Sequence, residues 1–248
     1  MKKTVSLLLI VLMALCFVAC GGEEAKTPYQ LYVDANQKMT DAGSFAADAH
    51  MLISMSMMGQ TMDMEMDTTI KTITRSETDI DMEMLMTMSY AGMTIDTTAY
   101  YTDGYMYALA MGQKQKQKMD AADMASQGSY NIDFTESAVK ESSVTDVDGG
   151  KLLSFVLDGS VMNDLMAQQM AGTGGGDDVD VTIEDVPMEV TIDGDGNLKN
   201  LVMDFTMVVT SQGLSIDCTV SMTMDAIQVG GVTIDFPADL DTYPEVTG

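Results

Sequence analysis

Few side chains in this chain are suited to covalent or metal chemistry, and the thiol of Cys20 is the one whose neighbours specify a reaction. Lys2 and Lys3 open the chain, and an apolar run follows over residues 5–15 (VSLLLIVLMAL). Phe17-Val18-Ala19-Cys20 then sets a small residue before a cysteine, with Gly21-Gly22 after it. The run is too short to span a bilayer comfortably and has the layout of an export signal. The order of charge, apolar run, small residue and cysteine suits cleavage before Cys20 and acylation of its sulfur. Cys16 is a poor rival, because Leu15 is too bulky for that cleavage.

These four residues resemble a lipobox, with Phe17 where Leu is usual. The resemblance implies a diacylated Cys20 as first residue of the mature chain, which works outside the cytoplasm on the extracytoplasmic face of a membrane. The alternative is an ordinary secretory signal with an incidental cysteine. Residues 1–19 are therefore read as signal peptide, 20–27 as a polar tether and 28–248 as a single domain.

Thioethers are the next candidates. The chain has 27 methionines, 25 of them after residue 20. Met is flexible and polarizable and suits surfaces that adapt to variable apolar ligands. The residues assigned to such a lining are Met55, Met57, Met62, Met64, Met66, Met82, Met84, Met86, Met88, Met203, Met207, Met222 and Met224. A closed core in which Met fills gaps explains the same pattern. Met-x-Met spacing also suits Cu(I). That reading ranks last, since capture needs exposed, converging sulfurs near His or Cys, and His50 has outward parity. No metal and no cofactor is expected.

Carboxylates are abundant but read as surface. Asp63, Glu65, Asp67, Asp79, Asp81 and Glu83 fall on the polar parity of neighbouring strands, where like charges oppose one another and screening or Ca²⁺ would relieve them. Asp193, Asp195 and Asn197 have the opening spacing of a calcium loop, but no Gly or distant Glu follows in place, so a hairpin turn is preferred. Asp177, Asp178 and Asp180 read as a solvated loop. Lys114, Lys116 and Lys118 share one face if they lie on a strand. They offer a local basic spot for phosphate head groups or anionic wall polymers, or they protect a strand edge; the edge reading is preferred. His50 and Cys218 have opposite parity, so no Cys–His pair is evident and no catalytic residue is assigned.

Composition bounds the partners. The formal charge is −26, and −28 once Lys2 and Lys3 leave with the signal. Such a chain repels nucleic acid and anionic lipid head groups. Apolar residues make up 46%, so the acid surrounds a real core. After Cys16 and Cys20, only Cys218 remains, and no internal disulfide can form.

The elements that carry these residues change period along the chain. Tyr29 to Ala42 has apolar residues at helical spacing, with Pro28 before it and Gly43 after it. Residues 45–57, 62–67, 79–89, 93–102 and 105–111 alternate with period two around turn residues. Residues 119–127 read as a short helix, 139–147 and 151–158 as a hairpin, 160–171 as a helix bearing Met162, Leu165, Met166 and Met170, and 172–178 as a loop. Val186 to Ile192, Leu201 to Val209 and Leu214 to Met224 alternate again, and Val232 to Phe236 reads as a closing strand. One face of these strands is polar, and the other must be covered by few helices. The fold class is α+β: a large curved antiparallel sheet, or half-barrel, with two or three helices on its concave face.

The chain resembles the LolA/LppX-type lipoprotein group. The residues that carry the resemblance are the lipobox, the amphipathic first helix, the long alternating strands, and Tyr100-Tyr101-Thr102-Asp103-Gly104-Tyr105-Met106-Tyr107 followed by Gly112-Gln113-Lys114. Phe236-Pro237 and Tyr243-Pro244 near the end also match. The resemblance implies an open half-barrel whose concave side can hold acyl chains. The reading is thus a non-enzymatic, membrane-anchored lipoprotein that binds a lipid or other apolar ligand. The alternative is an envelope interaction or structural lipoprotein with a closed core and an acidic partner-binding face.

Overall fold

The computed structural model describes residues 26–57, 59–127, 134–163, 179–211 and 214–246. Helix α1 (Pro28–Asp41) starts where local chemistry allows it. Thr27 accepts from the Gln30 backbone N–H while the Gln30 side chain reaches back to the Thr27 N–H, and Pro28 occupies the first turn. It ends at Gly43, whose φ of 64° is open to a residue without Cβ and whose N–H donates to Thr40 O. Tyr32, Ala35 and Met39 form its buried stripe.

Strands β1 (Ser44–Met57), β2 (Gln60–Ser76), β3 (Asp79–Tyr90), β4 (Met93–Thr102), β5 (Tyr105–Ala110) and β6 (Gln113–Lys118) form one meander. After helix α2 (Ala121–Gln127) come β7 (Val139–Val147), β8 (Gly150–Leu157), β9 (Val179–Ile183), β10 (Val186–Asp193), β11 (Leu198–Ser211) and β12 (Leu214–Val229). All pair antiparallel in a single sheet of order β6-β5-β4-β3-β2-β1-β12-β11-β10-β8-β7, with β9 added beside β11. The sheet is open, and the fold is the α+β half-barrel read from the alternation. The β1–β12 ladder, Phe45↔Val229 through Ser56↔Asp217, joins the two meanders.

Pairing gives the sheet two faces. Ala47, Ile70, Met82, Tyr101, Leu153, Phe155, Val190, Leu201 and Met203 lie on the inner one, in the core that also holds Tyr32 and Ala35 of α1 and Met124 of α2. Val161 and Met162, in the helical turn at residues 159–163, pack against the same core. Helices thus cover part of the apolar face. The rest of the helix expected at 160–171, with Leu165, Met166 and Met170, lies outside the described residues, as do 172–178 with Asp177 and Asp178.

Several elements differ from the sequence reading. Strand β2 runs on to Ser76, because the Thr-rich stretch after Asp67 keeps pairing with β1 and β3 although its alternation is weak. Strand β9 contains the exposed Asp180, read above as loop. Val232 to Phe236 is not a strand. This segment crosses the outer face, where Phe236, Leu240 and Tyr243 pack with Tyr100, Tyr105 and Tyr107. It ends by pairing with the β6 edge: Lys116 N–H donates to Pro244 O at 2.8 Å and Val246 N–H to Lys116 O at 2.9 Å. An edge otherwise open to another chain is covered in this way.

Candidate apolar ligand site

Register turns scattered methionines into a row. Met88, Met66, Met51, Met222, Met203 and Met188 stand directly opposite one another on six successive strands, from β3 to β10. Ile95 and Phe155 extend the row at its two ends. Directly opposite side chains have Cβ atoms about 4.5–5.5 Å apart, so neighbouring methionines are within reach of one another. Burial changes along the row. Met188 is 1% exposed and Met203 5%, whereas Met222, Met51, Met66 and Met88 are half-buried.

The helices explain that gradient. Antiparallel pairing places the turns at 59 and 91–92 and the Ser211–Leu214 pair at one end of the sheet, and the turns at 77–78, 103–104, 148–149 and 194–197 at the other. Helix α1 docks near the second end, where Lys38 donates to Asp195 O and Thr74 N–H donates to Gly43 O. At the first end the apolar face opens into a depression of about 300 Å³ lined by Met55, Met64, Met88, Tyr90, Met93 and Ile95. The Tyr90 hydroxyl turns aside to the Met62 sulfur at 3.4 Å.

The thirteen methionines assigned from sequence therefore divide. Met82, Met203 and Met224 are buried in the packed core, and Met84, Met207 and Met222 lie against it. Met55, Met64 and Met88 line the depression. Met66 and Met86 are half-buried on the same face, and Met62 is exposed. The side chain of Met57 lies outside the described residues, as does Cys20. Met51, Met188, Tyr90, Met93 and Ile95 also belong to this face and were not assigned. Their alternation is visible in the sequence, but their place in the row and around the depression depends on which residue each strand sets opposite them.

Other candidates resolve into local structure. Cys218 sits on the inner face between Met55 and Met207, and burial, with Asp217 next to it, pushes its thiol pKa up. Asp193 is the turn acceptor expected of a hairpin. Its Oδ1 accepts from Asp195 N at 3.0 Å and Asn197 N at 2.8 Å. Burial opposes its charge, yet the hydrogen bonds from Asn197 and Asp195 hold its carboxyl below the usual range.

The acidic rows are partnered rather than merely solvated. Glu83 accepts from Lys71 at 2.6 Å, and that hydrogen bond raises the Lys71 pKa. Arg75 bridges Asp79 at 2.9 Å and the 8%-exposed Asp81 at 2.7 Å. Ser54 donates to Asp63 at 2.7 Å. Lys114 is held by Asp239, with its Nζ 5.1 Å from the centre of the Tyr243 ring, and Lys116 lies 5.4 Å from that of Tyr105. The Lys114 side chain and the Lys116 backbone thus hold the C-terminal segment on the strand edge.

The chain is similar to three solved structures at low identity. LprF from Mycobacterium bovis is 15% identical with a TM-score of 0.42, over 85% of this chain and 97% of that one. A putative outer membrane lipoprotein-sorting protein domain from Vibrio parahaemolyticus is 8% identical with a TM-score of 0.28, over 87% and 96%. A DUF1329 family protein from Desulfovibrio piger is 10% identical with a TM-score of 0.27, over 83% and 93%. At such scores these likenesses carry no argument about ligand or activity. No curated protein matches the chain. Residues 27–240 match the model of a family of unknown function (DUF6612), and the chain belongs to that family.

Proposed function

We propose that the protein is a non-enzymatic, membrane-anchored extracytoplasmic lipoprotein that binds a lipid or other apolar ligand on the open end of its methionine face. The depression lined by Met55, Met64, Met88, Tyr90, Met93 and Ile95 supports this reading most directly. Buried apolar area contributes about 25 cal/mol per Å², so a continuous apolar surface left uncovered favours an apolar occupant. Unbranched thioethers adapt to chains of different length better than branched side chains do. Attachment is assigned to Cys20, because two acyl chains at about 0.8 kcal/mol per buried CH₂ anchor a protein stably. Among the described residues no helix is long and apolar enough to cross a membrane.

Native mass spectrometry of residues 21–248, purified from a membrane-containing host, tests the ligand. The expected result is a co-purifying lipid, or saturable uptake of a fluorescent fatty acid that Met64→Lys and Met88→Glu abolish. No lipid and no uptake would overturn the reading. The burial of Met82, Met203 and Met224 favours the second reading, an interaction lipoprotein with a closed core and an acidic docking face, and failure of uptake would support it. The anchor is tested separately: Cys20→Ser should lose labelling by palmitate and move to the soluble fraction.

A further inference from the structure

We infer that His50, Glu65 and Asp67 form a site for a divalent transition-metal cation such as Zn²⁺ on the outer face of the sheet. The three come from adjacent strands in fixed register. His50 of β1 stands opposite Asp67 of β2, and Glu65 is the next residue of β2 on that face. Their ligand atoms lie within 4.8 Å of one another.

Proton placement gives the cluster its chemistry. His50 Nδ1 is 2.7 Å from Asp67 Oδ1. An ionised carboxylate only accepts, so Nδ1 carries the proton and donates it. In the neutral ring Nε2 then presents a lone pair, and it faces another acceptor, Glu65 Oε1, at 3.9 Å. Two electron-rich atoms held across such a gap call for a cation between them. A metal bonded to each ligand at about 2.0–2.1 Å spans up to about 4 Å, so slight rotation of the exposed Glu65 side chain closes the site. Asp67 takes the role of the outer carboxylate that fixes the tautomer and ring orientation of a metal-binding histidine.

The surroundings add field without competing cations. Asp48 and Asp225 stand opposite one another beside this cluster. With His50, Asp67, Thr69 and Thr87 they line a depression of about 460 Å³. Among the described residues, no ion pair joins Asp48, Glu65, Asp67 or Asp225 to a lysine or arginine. An imidazole with carboxylates suits Zn²⁺ or Ni²⁺, whereas Mg²⁺ and Ca²⁺ prefer oxygen ligands alone.

The chain has one histidine, so its imidazole gives one unobscured proton resonance. Protein carrying no histidine tag is titrated with ZnCl₂, and with MgCl₂ in parallel, while that resonance is followed by NMR. Zn²⁺ should move or broaden it saturably at one equivalent, and Mg²⁺ should not. Glu65→Gln should weaken Zn²⁺ binding by at least about tenfold, and Asp67→Asn by about 10- to 100-fold. Asp79→Asn, outside the cluster, should leave it unchanged. Urea unfolding of each variant confirms that it is folded. A resonance insensitive to excess Zn²⁺ would overturn the site and leave a protonated imidazole as the bridging cation. Equal response to Mg²⁺, or undiminished binding by folded Glu65→Gln, would reduce it to diffuse attraction by an acidic surface.

Discussion

Met51 of β1 stands directly opposite Met222 of β12, and this pair couples the two meanders inside one hydrophobic row. The two strands are far apart in sequence, yet each brings a methionine to the same level of the same face. Toward β10 the row is sealed by the core, and toward β3 it opens at the depression. One arrangement therefore serves stability at one end and leaves adaptable apolar surface at the other.

Truncation along this row should separate the two roles. Met188→Ala removes a side chain that is 1% exposed and should cost about 2–5 kcal/mol of unfolding free energy. Met93→Ala removes one that is 60% exposed and should stay within about 0.5 kcal/mol. Urea unfolding of both variants checks the contrast, with fatty-acid uptake following the opposite order.

The C-terminal clasp makes a second prediction. Tyr243 is 4% exposed and packs edge-on to Tyr107 with ring centres 5.8 Å apart. Tyr243→Ala should destabilise the protein by about 3 kcal/mol and free the β6 edge. Asp239→Asn, which removes only the exposed ion pair with Lys114, should do much less. Hydrogen exchange at the Lys116 amide reads the freed edge directly.

Acid should act through the carboxylates around Lys140 of β7. The Ser160 hydroxyl and amide, with Lys140, hold Asp158 below the usual carboxylate range. Lys140, with the Gly159 amide, does the same for Asp185. A carboxylate lowered in the folded state binds protons more readily unfolded. Its stabilising contribution is complete above about pH 3.9 and is lost as pH falls through the lower folded value. Lys140→Met should therefore shrink the loss of stability between about pH 5 and about pH 2.5 relative to the unaltered chain, measured as urea midpoints.

Cys218 should be inert in the folded protein. It is 5% exposed, and burial raises its thiol pKa, so little thiolate is present at neutral pH. Iodoacetamide should label it only after denaturation, as mass spectrometry of the intact chain would show.

Most strands were legible because alternation is local: the pleat sends successive side chains to opposite faces whatever the partner. The first helix was legible from Pro28, the helical spacing that follows it and Gly43 for the same reason, whereas the cap at Thr27 emerged only in the structure. Legibility failed where local signal was weak or misleading. The Thr-rich end of β2 has no clean apolar parity. Val232 to Phe236 alternates like a strand, yet its Phe236 is taken up by Tyr100, with ring centres 5.9 Å apart. The Tyr-rich and Phe-Pro motifs were recognisable as separate marks, but not as the two sides of one contact.

By itself the sequence determined the fold class, the apolar parity of the methionines and the outward parity of His50, all of which follow from residues close together in the chain. Only the tertiary structure decided which strands are neighbours and in what register. It placed β1 beside β12, aligned six methionines, left one end of their face uncovered and set His50 beside Asp67. Those outcomes depend on contacts between distant segments, where a shift of one residue would send every side chain of a strand to the other face.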